Sequence, residues 1–272
     1  MKTWWESWQS VGRSLGWETV TMTLPSLGFL PGLRHGNQVM MGLSPNTAPS
    51  QHELADYWMQ VGKPMLVWED QWIHHSNVVE SKLRHQMGKS IRIPGRLCQF
   101  QPISHDVYRN FLDQYHVFGS ARAAHRYGLY LPESYKRLVP AEFWPQKGPL
   151  LVSVSGFSKS QTWIRPHGPS QSMEWIRFAT LPFFHVVGGW QKILHHLWEI
   201  HRPDDVMTYT DRGWQGNSQS MLALGFQLEA ILPALHFTWD LTKKKRVLDE
   251  QGSIYNVGTE KWIKYFPPQS SF

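Results

Sequence analysis

The sequence predicts an α/β protein: a mixed sheet flanked by helices over residues 91–272, preceded by a smaller α/β region over residues 1–90. Three observations predict it. Short apolar runs such as "PLLVSVSGF" and "DVMTYTD", bounded by Gly, Pro or polar residues, have strand length. Other segments repeat at helical spacing, as where Trp190, Ile193, Leu194, Leu197 and Trp198 fall at i, i+3, i+4, i+7 and i+8. A chain of 272 residues is also long enough to bury a substantial core without disulfides or metals.

Taken in order, the opening "MKTWWESWQSVGRSLGW" puts Trp4, Trp5, Trp8 and Trp17 in a turn-rich stretch, more aromatic surface than one small amphipathic helix buries. From Gly28 to Ser50 the density of Gly, Pro and Asn predicts loop with one short strand. The next segment reads as helix, strand, helix. Ser50 and Glu53 form a capping-box pattern, "PMLVWED" is a short apolar run, and Val78, Val79, Leu83 and Met87 recur at helical spacing. From Ile91 the order is a strand with a proline irregularity, "IRIPGRLCQFQPI", a capped helix, "SHDVYRNFLDQYH", and the strands "YGLYL", "PLLVSVSGF" and "SMEWIRFATL". Gly188 and Gly189 then open the helix that begins at Trp190. The strand "DVMTYTD", the helix "GNSQSMLAL" and two closing strands, "FQLEAILP" and "LHFTWDL", follow.

Composition narrows the function classes. The one cysteine, Cys98, excludes an internal disulfide and argues for a reducing compartment. No leader pattern and no run of about 18 uncharged apolar residues appears, so a soluble cytoplasmic protein without membrane contact is expected. With 27 Lys plus Arg against 21 Asp plus Glu, the net charge is +6. Such a chain attracts phosphates non-specifically, and Trp with Arg can stack bases, which makes DNA or RNA an expected partner beside ordinary core roles for the 15 tryptophans.

The corner "YTDRGWQG" sets Asp211, Arg212 and Trp214 where a strand ends and a helix begins. In open α/β sheets ligands bind beyond the carboxyl ends of strands, so Asp211 is placed for chemistry. It is equally placed to cap the helix. His195, His196 and His201 share no Cys or carboxylate at ligand spacing, and no metal site is read from them.

With "VVGGWQKILHHLWE" and "TYTDRGWQGNSQSMLALGF" in place, the element order resembles the GNAT acyltransferase fold over roughly residues 91–245. Within it the motifs resemble a phage branch that includes the Mom family of DNA-modifying proteins. They are Phe111, Leu112, His116 and Gly119, then Glu174, Arg177 and Phe178, then Tyr209, Asp211, Trp214 and Gly216. The resemblance implies transfer of an acyl or related group from acyl-coenzyme A, with nucleic acid as an acceptor, and with Gly188, Gly189, Gln191 and Lys192 holding the cofactor. It further implies Asp211 and Arg177, on neighbouring strands, as a buried pair that orients or deprotonates the nucleophile. In GNAT enzymes a tyrosine commonly stands four residues before the Gly-Phe that ends the last helix. Met221 occupies that place here and cannot donate a proton, which leaves Tyr209 and His116 as substitutes.

Two departures favour an alternative, a non-catalytic nucleic-acid-binding protein that keeps the fold. They are Met221, and Trp190 where a small residue is usual. Upstream, "VGKPMLVWEDQWIHHSNVVESKL" resembles the last strand and helix of very-short-patch-repair-like phage endonucleases. Such nucleases hold a metal on an earlier acidic pair, yet the first 50 residues offer only Glu6 and Glu18. A degenerate remnant is implied, and an active metal-dependent endonuclease is the third reading.

Overall fold

The computed structural model describes residues 3–24, 28–166, 168–215 and 219–267. The chain forms two compact units. The first comprises Met1–Ser90, Thr210–Ser218 and Ala230–Glu260, and the second Ile91–Tyr209, Gln219–Glu229 and Lys261–Phe272. Where element order suggests a single cut after residue 90, the chain in fact returns twice to the first unit.

In unit one, α1 (Trp4–Leu15) starts at a capping box in which Thr3 and Glu6 satisfy each other's backbone N–H groups. It stops at Gly16, whose φ of 100° suits glycine. The strands β1 (Glu18–Leu24), β2 (Gly28–His35) and β3 (Gln38–Leu43) form an antiparallel meander. α2 (Gln51–Gln60), opened by Ser50 and Glu53, leads to β4 (Met65–Trp68), which pairs parallel to β3 and runs into α3 (Glu69–Gln86). The segment from Gly28 to Ser50 therefore holds two strands rather than one. Its glycines serve the hairpin: Gly36 turns the chain at φ 55°, and a Cβ on Gly32 would lie 2.8 Å from Val20 of the neighbouring strand. The tryptophans also find a larger host than one helix, since Trp8 and Trp17 are buried with Met40, Met65, Val67, Val79 and Leu83 from the sheet and α3.

Unit two begins by splitting the expected "IRIPGRLCQFQPI" strand in two. β5 (Ile91–Pro94) and β6 (Gln99–Pro102) are separated by a 3-10 turn at Gly95–Leu97 and enter different sheets. Next come α4 (His105–Tyr115), β7 (His125–Leu131), β8 (Leu150–Phe157), β9 (Gln161–Arg165) and β10 (Gly168–Thr180). They are followed by β11 (Phe184–Val187), which pairs parallel to β5, then α5 (Gly189–His201) and β12 (Asp205–Asp211). The short helices α6 (Arg212–Gln215) and α7 (Gln219–Ala223) precede β13 (Gln227–Leu232).

Three strands follow in unit one, β14 (His236–Asp240), β15 (Lys245–Leu248) and β16 (Ile254–Tyr255), and the last strand is β17 (Thr259–Tyr265). The main sheet has the order β13-β17-β12-β10-β8-β7-β6, with β9 on β10. Its closing partner is thus β17; the expected closing strand "LHFTWDL" is β14, in the small sheet β15-β14-β16.

The main sheet is flanked on both faces. Ile193, Leu194 and Leu197 of α5 pack with Leu129, Val152, Phe157 and Trp175, while Tyr108, Phe111 and Leu112 of α4 pack with Val154 and Ala179. Asp205 at the start of β12 is fully buried. It accepts two bonds from Arg165, at 2.8 and 3.2 Å, and one each from Ser170 and Ser172. A charge so enclosed survives only because every oxygen is occupied. Among the described residues no helix is long and apolar enough to cross a membrane.

Candidate functional site

In unit two the main sheet opens between β10 and β12. β10 and β12 run parallel and pair over four residues, Ser172–Asp205 through Trp175–Thr208. β10 then continues to Thr180, and its pairing with β8 shifts register between Trp175 and Arg177, leaving Ile176 as a bulge. A bulge bends its strand, so the ladder to β12 ends where the bend begins. The fork lies at the carboxyl ends of two parallel strands, the place where α/β sheets receive ligands. Tyr209, the next residue of β12, is 40% exposed there.

α5 follows β11 through Gly188, whose φ is 73°. The reason for Gly189 is internal: a Cβ would sit 2.9 Å from Val186, and the backbone of Gly95 closes on the turn from the other side, its own Cβ position 3.0 Å from the Gly189 nitrogen. Trp190 folds inward, edge-on to Trp175 and Phe178. Gln191 and Lys192 lie in the first turn. Lys192 lines an open cavity of about 600 Å³ with Arg96, Cys98, Gln99, Tyr135 and His196. Met221 is buried in the sheet core.

On the α4 face, the register sets Arg126 of β7, Gly156 of β8 and Arg177 of β10 side by side. Gly156 is required there because Tyr108 of α4 drops its hydroxyl onto the strand, 2.1 Å from where a Cβ would stand. Burial pushes the Tyr108 phenol up to about 12, against the pull of Arg177 and Arg126. Arg177 donates to the Ile176 carbonyl and Arg126 to that of Ala123, while the Nε of each is buried without a partner. Burial also raises the Glu174 carboxyl, which the Arg177 charge opposes. His116 ends α4, its Nδ1 accepting from the Phe118 N–H.

Asp211 falls in unit one and Arg177 in unit two, and in place of the expected pair each has its own partners. One carboxylate oxygen of Asp211 accepts from the Trp214 N–H at 3.0 Å, and Gly213 N–H contributes too, so Asp211 caps α6. The other accepts from Asn256 Nδ2 at 3.2 Å. Burial raises its carboxyl above the ordinary range, with these bonds and the Arg246 charge pulling the other way. Gly213 has no room for a side chain, its Cβ position being 2.9 Å from Leu66. Trp214 packs on the unit-one core and takes Lys82 over its ring. Gly216 lies outside the described residues.

The basic run after β14 is also divided. Lys243 pairs with Asp240, whereas Arg246 is buried and grips Asp70 with two bonds at 2.7 and 2.8 Å. His195 and His196 meet Glu199 on the surface of α5, and His201 bonds Tyr127 at 2.6 Å. Among the described residues no group of three or more His, Cys, Asp or Glu could hold a metal ion. Sequence reading missed Tyr108 and Arg126. The signal available was a glycine inside an apolar strand, "VSVSGF", which marks close approach by another group.

No family model matches the chain, and no curated protein does. Among solved structures the chain is similar to an IAA acetyltransferase from Bacillus cereus, with 15% identity over 62% of this chain and 99% of that one, at a TM-score of 0.36. It is similar to a Bacillus subtilis acetyltransferase in complex with CoA, with 15% identity over 62% and 99% at 0.34. A GNAT family acetyltransferase from Elizabethkingia anophelis with acetyl-CoA bound gives 11% identity over 62% and 99% at 0.35.

Proposed function

We propose that this protein is a GNAT-like transferase that takes an acyl or related group from acyl-coenzyme A, in the manner of the phage Mom branch. The observation that carries the reading is the fork. Beyond Trp175 and Thr208 the two parallel strands part, and the strand edges so released can hydrogen-bond an extended chain bearing amides, as the pantetheine arm does. In this reading the diphosphate lies at the amino end of α5, near Gly188, Gly189, Gln191 and Lys192, where helix N–H groups favour an anion. Tyr209, exposed at the fork, is the acid that protonates the departing thiolate, since Met221 is enclosed in the core. Arg177 lies on the part of β10 beyond the fork, and nucleic acid is the acceptor this branch suggests.

Acetyl-coenzyme A at about 100 times its dissociation constant is expected to add roughly 2.7 kcal/mol of stability. Tyr209→Phe is expected to keep that stabilisation and lower transfer about 100-fold. Absence of a shift with any of several acyl-coenzyme A species defeats the transferase reading in favour of a non-catalytic binding protein.

A further inference from the structure

The row Arg126–Gly156–Arg177 lies on the α4 face of the sheet, opposite the face on which α5 packs. Cross-strand partners share a face, and strands lie about 4.8 Å apart, so the two arginine Cα atoms flank Gly156 at a separation of roughly 10 Å. Between them stands the Tyr108 hydroxyl, fully buried and without a hydrogen-bond partner. Each arginine uses one N–H on a local carbonyl, leaves its Nε unpartnered, and forms no ion pair among the described residues. The carboxylate whose charge Arg177 feels is Glu174, so the cluster carries a net positive charge. Two forked cations on either side of a buried hydroxyl have more donors than local carbonyls use, and burying donors unmet is costly.

We infer that Arg126, Arg177 and Tyr108 form a binding site for one phosphate group, with an arginine on either side and the tyrosine hydroxyl donating to a third oxygen. A phosphate offers three or more acceptor oxygens to three separate donors, whereas a carboxylate offers two and is matched by one arginine fork. Calling this phosphate part of the acceptor rests on the transferase reading; the site itself does not. The same chemistry is presented by a small phosphomonoester and by the phosphodiester of a nucleic acid strand.

The test is titration of the full chain with inorganic phosphate, with acetate as a control, following the Nε resonances of Arg126 and Arg177. Phosphate should shift both signals, with acetate at least about tenfold weaker. Arg126→Gln and Arg177→Gln should each weaken phosphate about tenfold or more, and Arg→Lys at the same positions, which keeps the charge and the fold but not the fork, should lose part of it. Phosphate that leaves both resonances unmoved, or binds the Gln variants as it binds the parent, overturns the site. Acetate binding as tightly as phosphate overturns the assignment to phosphate.

A nucleoside monophosphate and a short single-stranded oligonucleotide, compared at equal phosphate, then tell the two sources apart. Tighter binding of the first assigns a small acceptor, and of the second a nucleic acid. Thermal stabilisation by coenzyme A is read on the same samples. Its absence with phosphate binding intact defeats the transferase reading alone, and its presence with no phosphate binding defeats only the site.

Discussion

Exchanging Asp211 and Asn256 separates a capping carboxylate from a reacting one. In Asp211→Asn the side-chain oxygen can still accept from the Trp214 N–H, so the cap survives. The new amide nitrogen, however, faces Asn256 Nδ2, a donor against a donor. Asn256 cannot turn over to relieve this, because its Oδ1 already accepts from the N–H groups of Leu235 at 2.9 Å and Gly258 at 3.1 Å. The variant is therefore expected to lose about 1–3 kcal/mol, the cost of a buried polar group left unmet.

Adding Asn256→Asp restores the pattern. Oδ1 of the new aspartate keeps Leu235 and Gly258, and Oδ2 accepts from the new asparagine at 211. A double-mutant cycle by chemical denaturation should show coupling of about 1–3 kcal/mol, with the swap close to the parent in stability. If Asp211 is also the base, transfer in the stable swap stays about 100-fold down. A single variant as stable as the parent, or a swap no better than the single, refutes the hydrogen-bond reasoning. Full specific activity in the swap ends the catalytic role of Asp211.

Because burial raises the Asp211 carboxyl, folding favours its neutral form more than the unfolded chain does. The stability it contributes is complete below the ordinary carboxylate pKa and lost as pH rises through the folded value, so the parent's margin over Asp211→Asn should shrink across that window in denaturation series. Asp70→Asn leaves the Arg246 guanidinium buried with half its partner gone and should cost about 3–5 kcal/mol by denaturant midpoint, most of it recovered in Asp70→Leu/Arg246→Met; a loss under 1 kcal/mol refutes this. Burial pushes the Cys98 thiol up to about 11, so at pH 8 about one thiol in a thousand is ionised and labelling by iodoacetamide should wait on unfolding; fast labelling of the native chain contradicts it.

The regular elements of the sheet were legible because their signals are local. The strands around Val152 and Val206 and the stripe through Ile193, Leu194 and Leu197 follow from spacing alone, and so do the caps at Ser50 and Ser104. Gly and Pro misled where tertiary packing overrode propensity. Gly32 weakens a strand in isolation, but in the meander it is what lets Val20 come close. "LHFTWDL" reads as a strand and is one, but it pairs in the small sheet, because a strand's pattern says that it pairs and not with what. Only the later return of the chain through Thr259–Tyr265 settles which strand closes the main sheet.

The charged residues show the same limit more sharply, since an arginine in sequence carries no mark of its partner. Arg246 ends a run of lysines that reads as a phosphate-binding patch, yet a single carboxylate 176 positions away holds it in the interior. Arg165 lies in a stretch with no motif and closes on Asp205. Arg126 and Arg177, 51 positions apart by their numbers, become neighbours only through the register of β8, and the glycine between them becomes intelligible only when Tyr108 fills its place. Of these four arginines, two are met by buried carboxylates and two are not. Leaving buried guanidinium N–H donors unmet is costly enough that two such arginines at one point of a sheet call for a ligand, whereas a solvated lysine run does not. The search for a phosphate partner therefore belongs at Arg126 and Arg177 before it belongs at Lys243, Lys244 and Lys245.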